Sequence, residues 1–226
     1  MTGSIKILYS DTGIAVAVKP QGVPSQSDHT GDIAMPALLS EQLGRAVFPV
    51  HRLDRAVGGV MVFACGRRAA AKLCAGMSEG DVIKEYLAVV HGAPENQTGD
   101  YHDFLLHDSV RNKTAAVSIP HEKAKEASLS YRLIDTVTVE ERLSLLLIRL
   151  HTGRTHQIRA QLSSRGMPVA GDGKYGAHDH CGLALWSYRL TFRHPVTKKE
   201  MVFSECPEEM TPWNLFSDME IRSIEI

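Results

Sequence analysis

Hydrophobic positions in this chain fall mostly in short runs with a period of two. "IKILYS" and "IAVAVK" flank the turn "DTG" and predict a hairpin ending at Pro20. "QGVPSQSDHTGD" reads as a loop from its Gly, Pro and Ser content. A short helix is predicted after Asp32, stopping at Gly44, a residue suited to a helix end. "AVFPVH" is strand-like, and "GVMVFA" predicts a second, buried strand. "RRAAAKLCAGMSEG" has helical spacing, with Leu73 and Met77 four apart on one face.

From "KEYLAVVHG" onward strands dominate: "KTAAVSI", "ASLSYRLIDTV" and "ERLSLLLIRL" are extended segments joined by polar turns. A helix is then predicted from Thr155, as N-cap, to Gly166. "LALWSYRLTFRHP" and "EMVFSE" close the sheet. Many short strands with few helices predict an α+β fold rather than a doubly wound parallel sheet. Without repeats or linkers, residues 1–226 read as one domain.

Composition narrows the class. Hydrophobic residues make up 43% and charged residues 23%, as in ordinary globular chains. No apolar run approaches the roughly 18 residues of a membrane span, and the start lacks a secretory pattern, so a cytoplasmic protein is expected. Cys65, Cys74, Cys181 and Cys206 lie far apart and predict reduced thiols, not a disulfide framework. "AHDHC" is too crowded for zinc spacing and no second cluster supports it, so no metal is expected. The formal net charge of −1 argues against a general polyanion binder. Yet the end of the chain is acidic, and arginines cluster in "HRLDR", "GRR", "TGRTHQIR" and "SSRG", which fits a basic cleft.

Three segments carry candidate chemistry. In "VHRLDRAVGG", Asp54 stands between Arg52 and Arg55 in a loop joining two strands. Neighbouring guanidinium groups favour its ionised form, suited to a nucleophile or electrostatic anchor; a structural ion pair fits the same charges. "LHTGRTHQIRAQL" sets Arg154 and His156 at a helix start and Arg159 within the helix, a pattern for anion binding or for a solvated basic face. Tyr86, in an otherwise apolar strand, is either a core tyrosine or a residue that stacks on an extruded base.

Together these segments resemble the RluA-type pseudouridine synthases over nearly the whole chain. "ILYSDTGIAVAVKPQG" looks like the family's opening hairpin and Lys-Pro-x-Gly turn. "HRLDRAVGGVMVFA" looks like its catalytic loop, usually His-Arg-Leu-Asp-x-x-Thr-Ser-Gly, and "KEYLAVVHG" like its tyrosine-bearing strand. "LHTGRTHQIRAQLSSRGMPVAGDGKYG" is similar to the most specific segment, Thr-Gly-Arg-x-His-Gln-Ile-Arg through Gly-Asp-x-x-Tyr-Gly. "LALWSYRLTFRHPVTKKEMVF" fits the closing strands.

The resemblance implies a mixed, largely antiparallel sheet with flanking helices and a central active-site cleft. It implies an isomerase that turns uridine into pseudouridine in ribosomal or transfer RNA, as a monomer, with RNA as its partner and no cofactor. Asp54 becomes the catalytic aspartate, Arg159 the arginine that pairs with it, and Tyr86 the tyrosine that stacks on the uracil. Arg52 would occupy the space the base leaves, while Lys19, Arg55, Arg154 and His156 would contact RNA. Two departures stand out: Val57-Gly58 replace the usual Thr-Ser, and "KPQGVPSQS" drifts from the pattern after Gly22. The first leaves room for an RNA-binding or ribosome-assembly factor that keeps the fold without catalysis. A phosphate-handling hydrolase, the third reading, lacks a phosphate-loop motif.

Overall fold

The computed structural model describes residues 4–118 and 121–216. Strands β1 (Ile7–Ser10) and β2 (Ile14–Lys19) precede α1 (Met35–Leu43), β3 (Phe48–Pro49), β4 (Gly58–Ala64) and α2 (Arg67–Glu79). Strands β5 (Ile83–His91), β6 (Thr98–Asp108), β7 (Lys113–Val117), β8 (Lys125–Thr138) and β9 (Arg142–Leu150) follow. Helix α3 (Gln157–Ser163) and strands β10 (Leu185–Arg193) and β11 (Glu200–Ser204) complete the order. The strand-rich content with three α-helices makes the fold α+β, as expected. Ile119, the last residue of the predicted "KTAAVSI" strand, and the acidic end beyond Phe216 lie outside the described residues.

The chain divides into two compact units: Met1–Lys84 with Ser187–Pro207, and Glu85–Trp186 with Glu208–Ile226. In the first, strands run β1-β2-β4-β10, with β11 beside β10 and β3 beside β4. The hairpin forms where the sequence places it, because the Asp11 side chain accepts the backbone N–H groups of Gly13 and Ile14 at 2.8 and 2.9 Å. Strand β4 is buried along its whole length, which explains its unbroken apolar run. Ile14, Val16, Val60, Val62, Leu190 and Phe192 share one core with Ala69 and Leu73 of α2, and Met77 packs against it. Each fully buried aliphatic side chain there contributes about 1.5–3 kcal/mol. Helices α1 and α2 both end in left-handed glycines, Gly44 at φ 65° and Gly80 at φ 82°.

The β2–β4 ladder runs from Ile14 opposite Ala64 to Lys19 opposite Gly59. Gly59 has φ +117°, and a Cβ added there would lie 2.2 Å from the Ser187 carbonyl oxygen of β10. Only a glycine lets the two backbones approach so closely.

In the second unit the order is β5-β9-β8-β6-β7. Strand β9 contributes three fully buried residues, Leu145, Leu146 and Ile148. Strand β6 is a long element that the sequence pattern does not predict. Its "TGDYHDFLLHD" alternates, but Leu105 is its only buried residue, and the half-buried positions ahead of it include Tyr101 and Asp103. They are held by a helix end: the Arg165 guanidinium lies 3.9 Å over the Tyr101 ring and bonds Asp103, which also accepts from Gln161 at 2.7 Å. Helix α3 packs on β6 and β7.

Gly59→Ala should destabilise the protein by about 3 kcal/mol or more, from positive-φ strain plus the clash with Ser187. Gly66→Ala, in open space with extended backbone, should change stability by less than about 1 kcal/mol. Urea unfolding of both variants checks the contrast.

Candidate active site

The loop carrying Asp54 is built from its backbone. Strand β3 pairs Phe48 with Ala64 and Pro49 with Phe63, then leaves β4. His51 turns back, and its Nε2 accepts the Val62 N–H at 3.1 Å, taking the place of a ladder partner. Burial, and secondly the Lys84 charge, push this imidazole down to about pKa 4. It is therefore neutral at pH 7, which keeps a lone pair on Nε2 for the bond. Leu53, buried, is gripped at both ends of its peptide: Ser25 Oγ donates to its carbonyl at 2.8 Å and accepts its N–H at 3.0 Å. The Asp54 carbonyl accepts the Val57 N–H at 2.9 Å and closes a turn over Arg55 and Ala56.

Lys19 locks the other side. Its side chain has no exposure, and Nζ donates to the carbonyls of Pro20, Val23 and Arg55 at 2.9, 2.7 and 3.0 Å. Three acceptors match the three protons of an ammonium. Burial drives its pKa down to about 7, against which the Asp54 charge acts to raise it. The Arg55 carbonyl also accepts the Gly22 N–H at 2.8 Å. Expected to contact RNA, Lys19 is instead an internal tie, because its protons are consumed by main-chain carbonyls. Arg55 does not flank Asp54 as an ion-pair partner in the way its sequence position suggests. Its guanidinium bonds Gly22 O at 2.9 Å, Thr30 Oγ1 at 3.2 Å and the Asp32 carboxylate. Arg52 is exposed and has no partner among the described residues. Asp54 is half-buried.

In the second unit the Thr-Gly-Arg loop is fastened through its own side chains. Gln157 Oε1 accepts the Arg154 N–H at 3.0 Å and the Thr152 hydroxyl at 2.8 Å, and its Nε2 donates to Ser128 O at 3.1 Å. His156 adopts a left-handed conformation at φ 53°, so it, and not Thr155, is the N-cap and α3 starts at Gln157. His156 is buried, with Nδ1 3.0 Å from the Tyr175 hydroxyl, which also accepts the Thr114 N–H at 2.8 Å. Expected to face RNA, it instead packs inside the unit, because the left-handed turn directs its ring to Tyr175.

Arg159 is 7% exposed, so it belongs to no solvated basic face. Its Nε and Nη2 reach the two Asp172 oxygens at 2.6 and 2.7 Å, and its guanidinium lies 4.9 Å over the Tyr175 ring. Such two-pronged, desolvated geometry is the strong form of an ion pair. Gly171, next to Asp172, lets the Cys181–Gly182 backbone approach closely: at φ +76° its added Cβ would lie 2.2 Å from the Gly182 carbonyl oxygen. Tyr86 sits on β5 at 6% exposure, next to Glu85, which accepts from Arg149 at 2.7 and 3.1 Å. Arg154 remains exposed, oriented by its Nε bond to Glu126 O at 2.9 Å.

The structure thus gathers Lys19, Arg52, Asp54 and Arg55 on one loop system of the first unit. Arg154, His156 and Arg159 gather on one loop and helix of the second. Gln157 enters the sequence reading only within the Thr-Gly-Arg-x-His-Gln-Ile-Arg motif, and Ser25, Asp172 and Tyr175 are not singled out. The last two stand in the Gly-Asp-x-x-Tyr-Gly signature, which carried a signal; Ser25 has none, since its partner lies 28 residues away.

A family model described as RNA pseudouridylate synthase matches residues 13–164. The chain is 30% identical over 223 residues to tRNA pseudouridine synthase C of Haemophilus influenzae, covering 88% of this chain and 92% of that protein. It is 31% identical over 229 residues to ribosomal large subunit pseudouridine synthase D of Zymomonas mobilis, covering 91% and 70%. The solved human RNA pseudouridylate synthase domain containing 1 superposes with a TM-score of 0.78 at 21% identity, over 92% of this chain and 86% of that one. The chain belongs to the RNA pseudouridylate synthase family, isomerases that act on RNA. No helix among the described residues is long and apolar enough to cross a membrane.

Lys19→Met leaves three carbonyls without their donor and should cost about 2–4 kcal/mol in urea unfolding. Lys19→Arg should not restore it, because a planar fork cannot meet three carbonyls around one atom. For His51 the folded pKa lies below the ordinary 6.5, so the unfolded chain takes up the proton first. Its contribution is complete above pH 6.5 and is lost as pH falls toward 4, amounting to about 2 kcal/mol lost at pH 5. His51→Gln, an acceptor that does not titrate, should flatten that part of the stability profile.

Proposed function

We propose that this chain converts specific uridines of structured RNA to pseudouridine, with Asp54 as the catalytic aspartate. The observation that carries the reading is the Asp54 loop itself. The carboxylate stands in the family's His-Arg-Leu-Asp motif, on a backbone held by Ser25, Gly22 and Lys19. Such preorganisation keeps a reacting group in place without reorganisation at the moment of reaction.

The reaction moves one bond. The N1–C1′ glycosidic bond breaks, the uracil turns, C5 bonds to C1′, and the C5 proton is lost while N1 gains one. No oxidant or added group is required. The base must leave its stack, at a cost of a few kcal/mol, and Arg52, exposed and cationic, would fill the space it leaves. Tyr86 is the tyrosine that stacks on the uracil and Arg159 the arginine of the catalytic set, by their positions in the family motifs. Arg154 contacts the RNA, whereas Lys19, Arg55 and His156 act by positioning the loops. Transfer RNA and ribosomal RNA are the substrate classes supported by the names of the relatives. We read residues 1–226 as one catalytic domain, monomeric and cytoplasmic.

Replacement of Thr-Ser by Val57-Gly58 does not favour a non-catalytic factor. Val57 is 3% exposed, and valine fills the shape of threonine with a methyl in place of the hydroxyl. The exchange lies on the packed side of the loop.

Tritium release from RNA labelled at uracil C5 tests the proposal. Wild type should release it from unmodified transfer or ribosomal RNA. Asp54→Asn should fold and bind RNA yet lose at least about a thousandfold in rate. Turnover by Asp54→Asn close to wild type would remove Asp54 from the chemistry.

A further inference from the structure

The second unit contains a cavity of about 250 Å³, of whose lining residues only Arg154 has been given a role above. Its lining includes Lys123, Lys125 and Arg154, with His107 and Thr114 beside them and, among the described residues, no carboxylate. Gly153 leaves one stretch of wall without a side chain. The cations come from three places: the turn before β8, the first residue of β8, and the Thr-Gly-Arg loop.

The polar floor is satisfied from within. His107 and Thr114 are cross-strand neighbours in β6 and β7, with Nδ1 and Oγ1 3.0 Å apart, and Thr114 Oγ1 donates to Thr155 O at 2.8 Å. The cations are not. Arg154 uses Nε on the Glu126 carbonyl, which fixes its direction and leaves its terminal amino groups unengaged among the described residues. Lys123 and Lys125 are exposed, and among the described residues neither ammonium has a carboxylate partner. Three cations without a carboxylate partner among the described residues thus line one concavity, on a chain of net charge −1, and Glu122 and Glu126, beside the lysines in sequence, are not part of that lining. An anion with several acceptor oxygens can accept from all three; an internucleotide phosphate has this chemistry.

We propose that this cavity seats a backbone phosphate of the substrate RNA, with Lys123, Lys125 and Arg154 as its donors. The inference rests on the reading above that RNA is the substrate. It adds a fixed electrostatic contact that positions the strand without reading its sequence.

Binding of wild type, Lys123→Gln/Lys125→Gln and Lys123→Arg/Lys125→Arg to unmodified transfer and ribosomal RNA is followed by anisotropy across a salt series. Pseudouridine formation by wild type is measured alongside. The Gln pair should lower the slope of log K against log salt by about 1 to 2 and weaken binding about tenfold near physiological salt. The Arg pair should keep the wild-type slope. An unchanged slope and affinity for the Gln pair, with wild type forming pseudouridine, overturns the cavity and leaves the enzyme reading intact. A lowered slope with no pseudouridine formed by wild type supports the cavity and removes the enzyme reading. Acetylation footprinting separates the two sources of phosphate. RNA should protect Lys123 and Lys125, and inorganic phosphate at matched phosphate concentration should not. Equal protection by both would make this a small-anion site and overturn the assignment to RNA.

Discussion

An ammonium taken out of water costs several kcal/mol unless each of its protons meets an acceptor. Lys19 meets three main-chain carbonyls, two in the turn that follows it and one 36 residues on, in the loop of Asp54. That single buried charge joins the end of β2 to the candidate catalytic loop. It lies at the last rung of the β2–β4 ladder, opposite Gly59, whose missing Cβ lets β10 close on β4. A one-residue slip of that ladder would turn the Lys19 side chain to the other face and release the loop. Sheet register and loop geometry are therefore one constraint.

The second unit applies the same economy to a different motif. Thr152, Gln157, His156, Arg159, Asp172 and Tyr175 come from two stretches of sequence and satisfy one another's polar groups. The buried Arg159 carries its own counter-charge in Asp172, and the Tyr175 ring covers the guanidinium face. Several of the motif's residues thus serve as a framework for the loop, while Arg154 stays on the surface beside Lys123 and Lys125. Charge that looks evenly balanced over the chain is unevenly placed in the fold.

Family membership and physical reading meet at the departures from the family pattern. The exchange of Thr-Ser for Val57-Gly58 falls on buried residues, so it changes packing beneath the loop and leaves the Ser25, Gly22 and Lys19 ties in place. Arg55 is likewise a loop residue: its bonds to Gly22, Thr30 and Asp32 fasten the segment after Gly22 to the Asp54 loop. That segment is also the one that drifts from the family pattern, which fits a structural tie that many sequences can make.

The sequence by itself determined the α+β class, most strands, both glycine-ended helices and the family, because these depend on local periodicity, turn chemistry and motif order. It also singled out Asp54, since a carboxylate among arginines in a loop between apolar strands is visible as a string of letters. It did not reveal strand β6, where the half-buried Tyr101 and Asp103 find their partners only when Arg165 and Gln161 arrive from another element. It placed the N-cap of α3 one residue early, because the left-handed turn at His156 answers to Tyr175. Tertiary structure alone decided which charged groups are interior ties and which remain exposed. Lys19 and Arg55 are both basic residues near the same aspartate, yet one is buried on carbonyls and the other lies on Asp32. The choice rests on partners 23 to 36 residues away, a distance over which composition and periodicity hold no information.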